Sequence, residues 1–124
     1  MQVRWGKLVD LNGAAIHYLA GSLGIVNKVV LQSSLQIQSQ SSELLVKIAK
    51  ETGADVYLTP LVTKKYVDEN LFLKQGITIR FFQFIPPVYP QLWGEFIYNL
   101  SALDLLLNCG GKSLEVIKKY NHVM

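Results

Sequence analysis

A single cysteine, Cys109, is all the thiol this 124-residue chain carries. No disulfide can form within it, and a reducing cytoplasmic setting is expected. Long apolar runs are missing too. The stretch from Leu19 to Leu31 is broken by Gly21, Gly24, Asn27 and Lys28, short of the roughly 18 unbroken apolar residues that a membrane-spanning helix needs. With no charged-then-apolar leader, the expectation is a soluble or at most peripheral protein without a transmembrane segment. Basic residues never gather into a stripe: the net charge of +3 comes from lysines standing singly or in pairs, as in Lys64 with Lys65 and Lys118 with Lys119. A nucleic-acid footprint is denser and interleaved with aromatics, so nucleic acid is not an expected partner. There is no P-loop and no dinucleotide fingerprint, because Gly21-Ser22-Leu23-Gly24 closes a helix instead of opening one. His17 has no carboxylate, cysteine or second histidine at metal spacing and His122 is expected near a frayed tail, so no metal site is expected and no cofactor is assigned.

What is present is apolar: half of the residues are hydrophobic and only 17% are charged. Such a chain folds, and its length suits one domain, with too little left for a second independent core. A small domain has a large surface for its volume and normally a wetter composition. The shortage of charge points to a covered face and a missing partner, either a further part of a longer protein or a second copy.

One phrase occurs three times: an amphipathic run, a glycine, then a short strand-like stretch. Leu8, Leu11, Ala15, Leu19 and Leu23 fall near one helix face and end at Gly24, before Val26, Val29, Val30 and Leu31. Leu44, Leu45, Ile48 and Ala49, with Ser41 as the expected cap, end at Gly53 before Asp55-Val56-Tyr57-Leu58. A third helix from about Asp68 ends at Gly76 before Ile77-Thr78-Ile79-Arg80-Phe81-Phe82. In each, glycine takes the left-handed conformation that closes the helix. Strands separated by helices run parallel. The fold class is therefore α/β, a single domain over residues 1–124 with a small three-stranded parallel sheet flanked by helices. Three prolines between Ile85 and Pro90 then lead the chain away from the sheet. Ser101 with Asp104 marks a capped helix start, Asn108-Cys109-Gly110-Gly111 ends that helix, and Lys112 to Tyr120 forms the second of two C-terminal helices.

Ligands of an open parallel sheet bind beyond the carboxyl ends of its strands. That rule selects the loops Gln32 to Gln40, Thr59 to Tyr66 and Gln83 to Glu95, with Ser33, Ser34, Thr59, Lys64, Lys65, Tyr66, Gln91 and Glu95 as candidate polar groups. Lys64 and Lys65 precede the third helix, where a phosphate of a nucleotide-sugar or other phosphorylated ligand fits; a pair of solvated loop lysines is the competing reading. Glu95 suits a general base beside Trp93 as a stacking wall, with Tyr66 as the second candidate catalytic group. Alternatively Trp93 and Phe96 cover the core and Glu95 caps a turn. Cys109 follows a helix end, where the dipole disfavours a thiolate, and is expected to pack inertly.

The ordered blocks Tyr57-Leu58-Thr59, Lys65-Tyr66-Val67-Asp68, Leu71-Phe72, Gly76-Ile77, Tyr89-Pro90-Gln91-Leu92-Trp93-Gly94-Glu95-Phe96 and Asn99-Leu100-Ser101-Ala102-Leu103-Asp104-Leu105-Leu106-Leu107-Asn108-Cys109-Gly110 resemble the C-terminal half of WbqC-like proteins. The resemblance implies a role in O-antigen, that is lipopolysaccharide, or related surface-glycan biosynthesis in bacteria, with transfer of glycine or a small acyl group to a sugar. It departs from the family's pattern at Thr59-Pro60, where a serine-glycine pair is usual, and in lacking the further N-terminal half. A non-catalytic module that docks to such a half is the competing expectation.

Overall fold

The structure is a computed structural model and describes residues 5–121. His122 lies outside the described residues. The chain contains α1 (Leu8–Ser22), α2 (Ser41–Glu51), β1 (Val56–Pro60), α3 (Glu69–Lys74), β2 (Thr78–Phe82), α4 (Ala102–Cys109) and α5 (Ser113–Tyr120), with single 3-10 turns at Gln32–Leu35, Leu61–Thr63 and Gly110–Lys112. It groups into two compact units. The central unit is Lys28–Phe84; the terminal unit combines the chain up to Asn27 with the chain from Ile85 onward.

The central unit is built on a β1-α3-β2 crossover. β1 and β2 pair in parallel, Val56 opposite Thr78 through Pro60 opposite Phe82, as two strands joined through a helix must. Burial alternates along both strands. The inner face, carrying Tyr57 and Ile79, meets a core of Val46, Ala49, Phe72 and Ile77. Phe72 is fully buried, and its ring lies 5.0 Å from that of Tyr57. The outer face leaves Val56 and Leu58 exposed.

Among the described residues the sheet has two strands, and the expected third does not form. Residues 26–31, expected as the first strand, form no ladder, and Val26 is 96% exposed. A short β-branched apolar run reads alike whether or not it finds a partner, so the sequence pattern could not separate the two cases.

All three expected glycine closures form. Gly24, Gly53 and Gly76 have φ near +70°. At Gly53 and Gly76, the next residue donates back to the third-last helical carbonyl, Ala54 to Ala49 at 2.8 Å and Ile77 to Phe72 at 3.0 Å. This is the Schellman arrangement, and a side chain at the left-handed position would strain it. The cap expected of Ser41 is absent: Gln40 precedes α2 without a side-chain bond. Instead the hydroxyl of the buried Ser42 accepts the backbone N–H of Asp68 at 2.9 Å, which ties α2 to the start of α3.

In the terminal unit, Ser101 caps α4 by accepting from the Leu103 N–H at 3.1 Å. The turn to α5 closes on Ser113, 1% exposed, whose hydroxyl reaches the Gly110 carbonyl at 2.6 Å. Asn121 pairs its side-chain amide with both backbone groups of Ile85, at 2.8 and 2.9 Å. α1 contacts α4, yet none of its residues is buried; Leu8, Val9, Ile16 and Tyr18 are all exposed.

Candidate functional site

The proposed site residues fall in both units. In the terminal unit, Gln91 shapes the segment that follows it. Its side-chain nitrogen donates to the Ile97 carbonyl at 3.0 Å, and its side-chain oxygen accepts the Ile97 N–H at 2.9 Å. One amide thus replaces a pair of strand hydrogen bonds and pins residues 92–96 into a closed loop. Gly94 turns that loop at φ +68°. The loop holds Trp93, 86% exposed, and Glu95, also exposed. Trp93 therefore does not cover the core.

Gly94 and Phe96 of this segment line a concavity of about 420 Å³ together with Val88, Tyr89, Pro90 and Gln91. Tyr89 is buried, and its hydroxyl donates to the Asp104 carboxylate at 2.7 Å. Phe96 meets Tyr89 and Tyr98 edge to face, at 5.7 and 4.7 Å between centroids. Burial pushes the Tyr89 hydroxyl above its ordinary pKa, and the hydrogen bond to Asp104 pushes it the same way. Sequence reasoning gave Asp104 to the helix start, where its carboxylate would answer Ser101. Its commitment to Tyr89 was not legible, although a tyrosine held between Val88 and Pro90 in a proline-rich stretch is restricted enough to be a marker.

In the central unit, Thr59 and Thr63 lie 2.9 Å apart through their hydroxyls. Thr63 gives its own hydrogen to the Pro60 carbonyl at 2.7 Å, so Thr59 is the donor to Thr63. Thr59 is 3% exposed, and its hydroxyl hydrogen is spent inside the fold. Lys64 and Lys65 line an open depression of about 550 Å³ with Leu61 and Val62. The Lys64 ammonium lies 5.5 Å from the Phe81 ring centre and 4.0 Å from Glu69; that of Lys65 lies 4.9 Å from the ring centre of Tyr66, which is exposed. Two of the amides at the start of α3 are already occupied: the Asp68 carboxylate accepts from Asn70 and Leu71 at 3.1 and 3.2 Å. Ser33 and Ser34 sit on the 3-10 turn Gln32–Leu35. Ser34 donates to the Leu31 carbonyl at 2.7 Å, and Ser33 lines a different concavity with Gln32, Gln36, Ile37 and Gln38.

Three groupings therefore exist: the loop and concavity holding Gln91, Trp93 and Glu95; the depression with Lys64 and Lys65 beside Tyr66; and the serine turn. Among the described residues no three of His, Cys, Asp and Glu are placed to hold a metal ion, and no helix is long and apolar enough to cross a membrane. Cys109 is a half-buried free thiol.

The family model for the WbqC-like protein family matches residues 1–116. The chain belongs to the WbqC-like family. A curated relative, the uncharacterized protein Rv1507c of Mycobacterium tuberculosis, is 27% identical over 109 residues, which cover 87% of this chain and 47% of that protein. The WbqC-like chain thus spans about half the length of the relative it matches. No solved structure matches it.

Proposed function

We propose that this WbqC-like chain binds the sugar in a transferase of bacterial surface-polysaccharide biosynthesis, which places glycine or a similar small acyl group on a nucleotide-sugar. The observation that carries the reading is the Gln91-clamped loop, which exposes a tryptophan and a carboxylate and gives Gly94 and Phe96 to the lining of an aromatic concavity. The apolar face of a pyranose stacks on an indole, and a carboxylate within reach of a sugar hydroxyl or amine removes its proton as it attacks. In that step the sugar oxygen or nitrogen bonds to the carbonyl carbon of an activated acyl donor, and its proton passes to Glu95. The bond to the donor's leaving group then breaks, and the proton goes to that group.

The experiment is an NMR titration with UDP- and dTDP-sugars. The Trp93 indole N–H is expected to shift on binding. Trp93→Ala weakens binding roughly tenfold or more, in the range of a lost stacking contact. Glu95→Gln keeps binding and removes transfer. Sugar affinity indifferent to Trp93→Ala would end the assignment.

A second reading has its own observation. A helix rich in apolar side chains normally covers them against a neighbour, and α1 has no buried residue. It supports a non-catalytic scaffold module docking through α1 to the remainder of a longer family protein. Hydroxyl-radical footprinting separates the two: on this reading Leu8 and Tyr18 are strongly labelled in the present chain and protected in a full-length family member, whereas equal labelling in both would discard it.

A further inference from the structure

The carboxyl end of β1 opens into a loop that exposes apolar and basic side chains side by side. The chain leaves Pro60 into the 3-10 turn Leu61–Thr63, which exposes Leu61 and leaves Val62 76% exposed; Tyr66, just beyond, is 74% exposed. Lys64 and Lys65 stand between them and share the open depression with Leu61 and Val62. Three apolar or aromatic side chains and two ammonium groups are therefore offered to solvent within six successive residues.

Local carboxylates do not neutralise this patch. Asp68 is turned onto its own helix amides. Glu69 lies 4.0 Å from Lys64, with both side chains more than half exposed, a separation at which solvent screens most of the attraction. Lys65 makes no ion pair among the described residues.

We propose that this loop is a contact patch for an anionic bilayer surface. A free phosphate would need an enclosed set of donors, and here the depression is open while the Asn70 and Leu71 amides of the nearest helix are already taken by Asp68. It would also leave Leu61 and Val62 without a role. A lipid surface uses both parts: apolar side chains enter the headgroup boundary, lysines lay their stems along it with the charge outward, and tyrosine sits at the interface. Anionic headgroups draw juxtamembrane lysines. With no spanning helix among the described residues, contact of this kind is peripheral and reversible.

The experiment is co-sedimentation of the intact chain with vesicles of phosphatidylglycerol and phosphatidylcholine in equal parts, against pure phosphatidylcholine. Binding is expected to the first and not to the second, and to weaken as salt shortens the screening length. Lys64→Glu with Lys65→Glu lowers it by roughly tenfold or more, and Leu61→Ser with Val62→Ser also lowers it. Lys118→Glu with Lys119→Glu makes the same change of net charge in the terminal unit and leaves binding in place. Circular dichroism checks that each variant keeps the fold. Equal binding to both vesicle types, or to neither, overturns the proposal. So does loss in the Lys118 and Lys119 variant equal to that in the loop variant, or undiminished binding by the Leu61 and Val62 variant, which would mark a simple anion site.

Discussion

Gln91 satisfies both backbone groups of Ile97 with one side-chain amide, so removing that amide leaves two loop hydrogen bonds to water. Gln91→Ala is expected to cost about 1 to 2 kcal/mol, two hydrogen bonds of ordinary net value, and to speed hydrogen exchange at the Ile97 amide by NMR. An unchanged Ile97 rate would show that the loop closes without the clamp. Tyr89 gives a pH prediction. Its folded pKa is raised, by burial first and then by the bond to Asp104. The folded state therefore holds this proton more tightly than the unfolded chain does. The stabilisation is fully present below the unfolded value of about 10 and is lost as pH rises through the folded value. Urea denaturation series between pH 8 and 11 should show a steeper alkaline loss of stability for the wild type than for Tyr89→Phe. Tyr89→Phe itself starts about 1 kcal/mol lower at neutral pH from the lost hydrogen bond. The sequence marked Gln91, Trp93 and Glu95 from their place after a strand, but not the clamp or the Tyr89–Asp104 contact. Such pairings span 6 and 15 residues and belong to no local periodicity.

At the scale of the elements, helix ends were more legible than strands. Gly24, Gly53 and Gly76 announce left-handed positions because few other residues tolerate them, and all three adopt them. This fixes the sign of a substitution. Gly53→Ala is expected to destabilise by about 1 to 2 kcal/mol, the cost of a left-handed alanine. Gly13→Ala, inside α1, is expected to stabilise by up to about 1 kcal/mol, since its added Cβ meets nothing within 4 Å. Chemical denaturation of the two variants checks both, and equal signs would contradict the assigned caps. Ser41 misled because a serine ahead of an apolar run fits either of two neighbouring positions. Ser42 is the residue that turns inward, held by the Asp68 N–H from another element. The strand expected at residues 26–31 failed for a related reason: pairing requires a neighbour, and no local pattern supplies one.

At the scale of the whole molecule, the low charged fraction announced an uncovered face, and two faces answer to it. Parallel strands are ordinarily covered on both sides, but Val56 and Leu58 stand exposed on the outer face of the β1–β2 pair. α1 likewise buries none of its residues, though Leu8, Val9 and Ile16 supply the apolar surface of a core helix. Such surfaces associate when nothing shields them. If the remainder of a longer family protein covers α1, the present chain should find a poorer cover in copies of itself. Light scattering across a concentration series is then expected to rise above the monomer mass of 13.9 kDa. Leu8→Lys with Ile16→Lys should weaken that association roughly tenfold or more, as loss of anchor residues does, while Leu58→Lys reports separately on the sheet face. A chain that stays monomeric at every concentration would mean that α1 is an exposed helix in its own right, and the docking reading would lose its main support.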